Sequence, residues 1–349
     1  MKVRDIKAFR VTVTFLLALP MTALANDDLS INGFLSVGAS KSDADAVYYE
    51  GIVDEISFEP DTVVGVQLSA PVTETVSFTT QLLASGNKDT YDLAADWAYV
   101  DFSVGENTSI RAGRVKLPVF MASEYLEVGA AYPWVRPPEE VYSVVPVSAF
   151  SGVSARYTGN FGNFDFSIEP YYGSHTESIP QPTGVLSTTV KEFAGASLTL
   201  GNDVFTLRAG GLQGQLTIPE VGVDDEELSL FSVGARIDWE NVLIMSEYAS
   251  RDIPGIIPDS EGWYAMLGYR AGKFLPHVTV AQLDTDEVTP LAQKQKSTTV
   301  GVQYQLNHAA LLKVEWKNIE LQEGSAGLFS TLPSDDKVSI FSASIDLTF

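Results

Sequence analysis

Residues 338–349 read VSIFSASIDLTF. Phe341, Ala343, Ile345, Leu347 and Phe349 fall on one face, and Ser342, Ser344, Asp346 and Thr348 on the other. The same two-residue period recurs upstream. Leu312, Val314 and Trp316 alternate with Lys313, Glu315 and Lys317, and Val300, Val302, Tyr304 and Leu306 alternate with Thr299, Gly301, Gln303 and Gln305. Phe231, Val233, Ala235, Ile237 and Trp239 likewise alternate with Ser232, Gly234, Arg236 and Asp238. Period two marks strands with one apolar and one polar face. A soluble sandwich shares that alternation. Arginine, lysine and glutamate in mid-strand, with aromatics at strand ends, instead form the pattern of a barrel with lipid outside and water within.

Turn signals set the number of strands. Short turns are predicted at 70–74, 105–107, 159–163, 201–203, 240–241, 271–273 and 307–309. Longer acidic or proline-rich loops are predicted at 41–56, 85–91, 116–149, 175–188, 216–226, 252–260, 286–296 and 322–336. Together they join sixteen strands, an even number with alternating short and long connections, as a single-chain membrane barrel requires. The expected fold class is all-β: one transmembrane antiparallel β-barrel of 16 strands over residues 26–349. Side chains cannot fill a barrel that wide, so it holds an aqueous channel.

One stretch has neither period. Residues 113–142 read GRVKLPVFMASEYLEVGAAYPWVRPPEEVY. A run of this kind within a compact domain is usually functional. ASEYLEV, within 119–129, predicts a short helical turn, and Pro133, Pro137 and Pro138 predict an extended return.

The first 25 residues stand apart from the barrel pattern. Lys2, Arg4, Lys7 and Arg10 precede an apolar run from Val11 to Leu19, and Ala23-Leu24-Ala25 follows, which predicts a secretory signal peptide over 1–25. The run is well short of the roughly 20 residues of a membrane-spanning helix. Removing those four bases and the one acid, Asp5, from the chain's 22 Lys+Arg and 45 Asp+Glu leaves 18 against 44, a net charge of −26. Nucleic acid is therefore not an expected partner. There is no cysteine, and His175, His277 and His308 are scattered, so neither thiolate chemistry nor a zinc site of the usual kind is expected, and no cofactor.

The signal peptide, the 16-strand pattern, the terminal Phe349 and the single long loop after the fifth strand together resemble the trimeric porins of the Gram-negative outer membrane. GRVKLP…VRPPEEVY resembles the segment after strand five in a branch of that superfamily. The resemblance implies an outer-membrane porin forming a water-filled channel for passive diffusion of ions and small hydrophilic solutes, and no enzyme. It also implies a homotrimer in contact with outer-membrane lipids and lipopolysaccharide. Residues 116–149 would then fold into the lumen as the constriction loop, and Phe349 would serve assembly. The chain departs from the general porins in its short second loop, 85–91, and in lumen faces of strands one to four without arginine or lysine. A substrate-specific uptake channel for an organic acid, sugar or anion is the alternative. A barrel enzyme using His175 with Ser174 and Ser178, or an adhesin, are further readings.

The expected pore-constriction residues are Arg114, Lys116, Glu124, Glu127, Arg136, Glu139, Glu140 and Arg208, with Arg136 and loop glutamates facing the basic wall residues Arg114, Lys116 and Arg208. Charged rings and pore diameter are how such channels select. Arg236, Arg270 and Lys313 lie close to short turns, where the channel should be wide. In the other reading, 116–149 is a surface loop with Arg136 paired to Glu139 or Glu140, and the wall charges pair among themselves. The acidic stretches 224–227, 284–287 and 335–336 are expected to form a solvated outer face, or to bridge lipopolysaccharide through divalent cations. The net charge suggests a modest cation preference.

Overall fold

The computed structural model describes residues 29–87, 90–145, 147–181, 184–254, 258–286 and 292–349 of the chain. The expected signal peptide lies outside them. The first eight strands are β1 (Ser30–Ser42), β2 (Val63–Thr73), β3 (Val76–Asn87), β4 (Thr90–Val104), β5 (Thr108–Lys116), β6 (Ala149–Phe161), β7 (Phe164–Gln181) and β8 (Gly184–Gly201). The second eight are β9 (Phe205–Ile218), β10 (Val223–Trp239), β11 (Val242–Asp252), β12 (Ser260–Tyr269), β13 (Phe274–Thr285), β14 (Gln295–Asn307), β15 (Ala310–Leu321) and β16 (Lys337–Thr348). Each pairs antiparallel with its sequence neighbours, and β16 pairs with β1, so the described strands form one closed barrel. Closure leaves no edge, and every ladder hydrogen bond has a partner inside lipid. Among the described residues no helix is long and apolar enough to cross a membrane, so the strands make the crossing.

The alternation in the sequence maps onto the two faces of the wall. On β16, Phe341 is 60% exposed to the outside, whereas Ser342, Ser344 and Asp346 are buried on the inside. On β15, Val314 and Trp316 face out, and Lys313 and Lys317 are buried within. At the short-turn end Phe102, Tyr157, Phe161, Trp239, Tyr269 and Phe274 are exposed on the outer face as an aromatic girdle. Phe349 joins them. Its backbone exchanges hydrogen bonds with Gly33 at 2.8 and 2.9 Å, closing the ladder at the last residue of the chain. Its ring covers Gly33 so closely that a Cβ there would lie 2.2 Å from the ring, so a larger residue would displace the ring.

Several expected boundaries move. The predicted loops at 175–188 and 216–226 are largely strand, because β7 with β8 and β9 with β10 continue as long hairpins. Polar, turn-forming composition at 175–188 gives way to cross-strand pairing from His175↔Val190 to Gln181↔Gly184. The predicted loop at 85–91 shrinks to the two residues between β3 and β4. The helical turn expected within 119–129 is a series of tight turns. The helix, α1 (Glu139–Tyr142), forms after the prolines instead, where Pro138 N-caps it with a fixed φ of −55°.

Candidate pore constriction

Residues 117–148 leave the top of β5 and turn into the barrel. The first limb is apolar: Leu117, Val119 and Phe120 are buried and join a cluster with Leu212, Leu230, Leu243 and Met245 of β9 to β11. Full burial of a side chain of this kind is worth roughly 1.5–3 kcal/mol. Polar groups fix the position of the limb. Arg208 Nη2 donates to the Pro118 carbonyl at 3.0 Å, and Ser232 Oγ donates to that of Val119 at 2.5 Å. The Met121 N–H donates to Glu247 Oε1 at 2.7 Å, and the Tyr142 hydroxyl donates to Oε2 of the same carboxylate at 3.0 Å. One wall glutamate thereby holds both limbs.

Beyond Met121 the loop crosses the lumen. Gly129 sits against the β1–β16 wall, where a Cβ would lie 2.3 Å from Asp346 Oδ1. The return limb runs along β15. Lys313 Nζ donates to the carbonyls of Gly129 at 2.5 Å and Trp134 at 2.6 Å and pairs with Asp346 at 3.1 Å. Lys317 pairs with Glu139 and, at 2.9 Å, with Glu140. Trp134 Nε1 donates to Thr279 Oγ1 at 2.8 Å, and α1 lies so close to β12 that a Cβ on Gly262 would be 1.9 Å from the Glu140 carbonyl oxygen. Lys313 therefore does not line a wide mouth, as its nearness to a short turn suggests. The loop reaches down to it, and the lysine is fully buried.

The eight expected constriction residues separate into two groups. Glu124 and Glu127 occupy the side of the loop open to the lumen, with 34% and 30% of their side chains exposed. Glu124 pairs with Arg156, which also binds Glu169 at 2.6 Å. Burial pushes the Glu124 carboxyl up, but the Arg156 guanidinium more than offsets this and holds it below its ordinary value. Glu127 lies 4.0 Å from Lys116 Nζ, whose nearer partner is Asp96 at 2.6 Å. Burial raises the Glu127 carboxyl, with Lys116 opposing and Asp96 reinforcing. Arg114 Nε donates to the Asp96 carbonyl at 3.0 Å.

Arg136, Glu139 and Glu140 lie behind the loop. Glu139 and Glu140 are buried against Lys317. Arg136 turns to the β1–β16 wall, pairing with Asp61, with Glu139 at 3.1 Å, and donating to Ser40 and Ser342 at 3.0 Å each. Arg136 thus does not face Arg114, Lys116 and Arg208 across water. Of those wall cations, Lys116 faces Glu127 and Arg208 acts on Glu124, and Arg136 is a rivet. The pairing with Glu139 belongs to a loop inside the barrel and not to one on its surface.

Sequence reading did not assign Lys313 and Lys317 as the paired clasp of the loop, although their shared face on β15 was visible. It also missed Asp61, an acidic residue in a polar connection that carries no local signal. His175 and Ser174 point to opposite faces of β7, the first buried and the second exposed, so they form no pair. His175 Nδ1 lies 2.8 Å from the Ala149 carbonyl, and the Ser178 side chain lies outside those described.

Comparison with known proteins agrees with this architecture. Residues 12–324 match the family model of Gram-negative porins. An anion-selective porin from Comamonas acidovorans superposes with a TM-score of 0.64 at 13% identity, covering 92% of this chain and 99% of that one. Salmonella typhi OmpF in complex with daunomycin gives 0.63 at 12%, covering 92% and 97%. The trimer form of Vibrio cholerae OmpT gives 0.58 at 12%, covering 93% and 100%. No curated protein sequence matches the chain. At such identities the superpositions show the shared fold, and the family match carries the assignment. The chain belongs to the Gram-negative porin family and forms a 16-stranded porin barrel of the outer membrane.

Proposed function

We propose that the protein is a diffusion pore for ions and small hydrophilic solutes, with its waist set by residues 117–148 and a modest preference for cations. One observation carries this reading: the loop is fastened to the inner wall by its back, leaving Glu124 to Val128 toward open lumen. A fastened loop narrows a channel without sealing it. The barrel is proposed to work as a homotrimer among outer-membrane lipids and lipopolysaccharide, after removal of the signal peptide 1–25. The trimer form of the Vibrio cholerae protein supports the first point. Phe349, lipid-facing at the seam with β1, serves assembly in this reading.

Reconstitution in planar bilayers tests the function. Heat-modifiable protein is expected to give stepwise conductance, with a reversal potential in a KCl gradient on the cation side. Folded barrels that pass no current would reject a pore, and a reversal potential on the anion side would reject the preference.

A further inference from the structure

The connection between β1 and β2, residues 43–62, also folds against the constriction loop. Tyr48 and Ile52 are buried, at 1% and 0% exposure, an uncommon state for a connection at the mouth of a channel. The Tyr48 ring packs on Phe329 at 4.8 Å and lies 5.6 Å from Lys317 Nζ. Its hydroxyl accepts from Gln295 Nε2 at 3.1 Å, and the same amide donates to Glu140 at 2.8 Å. Asp61, at the far end of the connection, holds Arg136. Two loops are thus joined through Gln295, Lys317 and Arg136.

Between these anchors the chain makes a tight turn. Tyr48 and Ile52 exchange backbone hydrogen bonds at 2.8 and 3.1 Å, so residues 49–51 form the tip. Glu50 there has φ 60°, a conformation costly for a residue with a Cβ. Its side chain is exposed, and among the described residues no lysine, arginine or histidine lies within ion-pair distance of it. By contrast, the nearby carboxylates Asp61 and Glu139 are both bound to the Arg136 guanidinium.

We propose that this tip is a second jaw of the waist, and that Glu50 is a specificity-determining residue favouring cationic solutes. The inference rests on the pore reading above and adds to it the loop and the residue that set selectivity. The charged groups acting on Glu50 are Glu127, Arg136 and Glu139 of the constriction loop and Asp61 of its own connection. Glu50 is solvent-exposed, yet it sits among groups of the in-folded constriction loop and of its own connection. This enclosure, with Glu127 adding to it, raises the carboxyl to about 7. A carboxyl so raised is neutral below that pH and charged above it, so cation preference should fall as pH drops through about 7.

The test is the reversal potential in a KCl gradient for wild type, Glu50→Gln, Glu50→Lys and Glu127→Gln. Glutamine keeps the shape and the backbone cost while removing the charge. Measured well above the pH at which Glu50 titrates, loss of one unit charge a few ångströms from a permeating ion in water should lower the potassium-to-chloride permeability ratio about threefold, and lysine should lower it further. The E50Q variant should also lose the pH step. If E50Q keeps the wild-type potential and pH step while E127Q shifts the potential, the first loop is off the ion path and the proposal is overturned, with the pore reading intact. A folded wild type without conductance overturns both. Heat-modifiable migration of E50Q establishes its fold, and its potential decides the matter even where E50K fails to assemble.

Discussion

Lys317 shows how much one side chain can position. Its ammonium, 7% exposed, answers two carboxylates on adjacent loop residues, one of them fully buried. Replacing it with methionine would leave Glu140 in the interior without a counter-charge and Glu139 with Arg136 alone, a loss of about 3–5 kcal/mol for breaking a buried pair. Part of that cost should appear as loop release. Lys317→Met is expected to lower the thermal midpoint of the folded barrel and to raise single-channel conductance with broader current noise. Adding Glu139→Gln and Glu140→Gln should restore much of both. An unchanged current trace in the single variant would show that the clasp does not hold the waist. The lysine's lumen-facing position was legible from KVEWK, because period two places Lys313, Glu315 and Lys317 together. Its partners were not, since they lie about 180 positions away in the chain, and no local pattern encodes which distant carboxylate a wall lysine meets.

At the level of elements, the strands were read from alternation and the constriction loop from its failure to alternate. Both readings rest on period, which is local. The loop's interior was less legible. ASEYLEV has good helix formers but closes only tight turns, from Tyr125 to Ala122 and from Val128 to Tyr125, whereas Pro138 fixes its own φ where α1 begins. The long hairpins β7–β8 and β9–β10 escaped prediction because their outer ends carry turn-like residues held in register by neighbouring strands. Gly262 supplies the element-scale test. The β12 wall admits α1 only because this position lacks a Cβ. Gly262→Leu should push α1 toward the lumen while the barrel still closes, since Gly262 pairs with Leu283 through backbone alone. Single-channel conductance is expected to change while heat-modifiable migration stays. Wild-type conductance in this variant would mean that α1 does not rest on β12.

For the whole molecule, charge is arranged in two layers. The outer rim is acidic and solvated; Asp225, for example, is exposed, accepts from Thr217 Oγ1 at 3.1 Å and lies 3.7 Å from Lys191 Nζ. The waist is mixed, with Arg111, Lys116 and Arg156 set against Asp101, Asp96, Glu124 and Glu169. A net charge of −26 thus forecasts the rim better than the waist, where most acids are already answered. What remains open to water on the constriction loop is a short face around Glu124 and Glu127. The absence of cysteine makes that face addressable, because one introduced thiol is unique in the chain. The most direct measurement is the current through open Glu127→Cys channels during addition of a positively charged methanethiosulfonate reagent, with Asp225→Cys as the rim control. Stepwise loss of current in the Glu127→Cys channel, with none in the Asp225→Cys channel, is the expected result. Labelling of the Glu127→Cys thiol that leaves the current unchanged, or an equal effect in both variants, would contradict a waist built from residues 117–148.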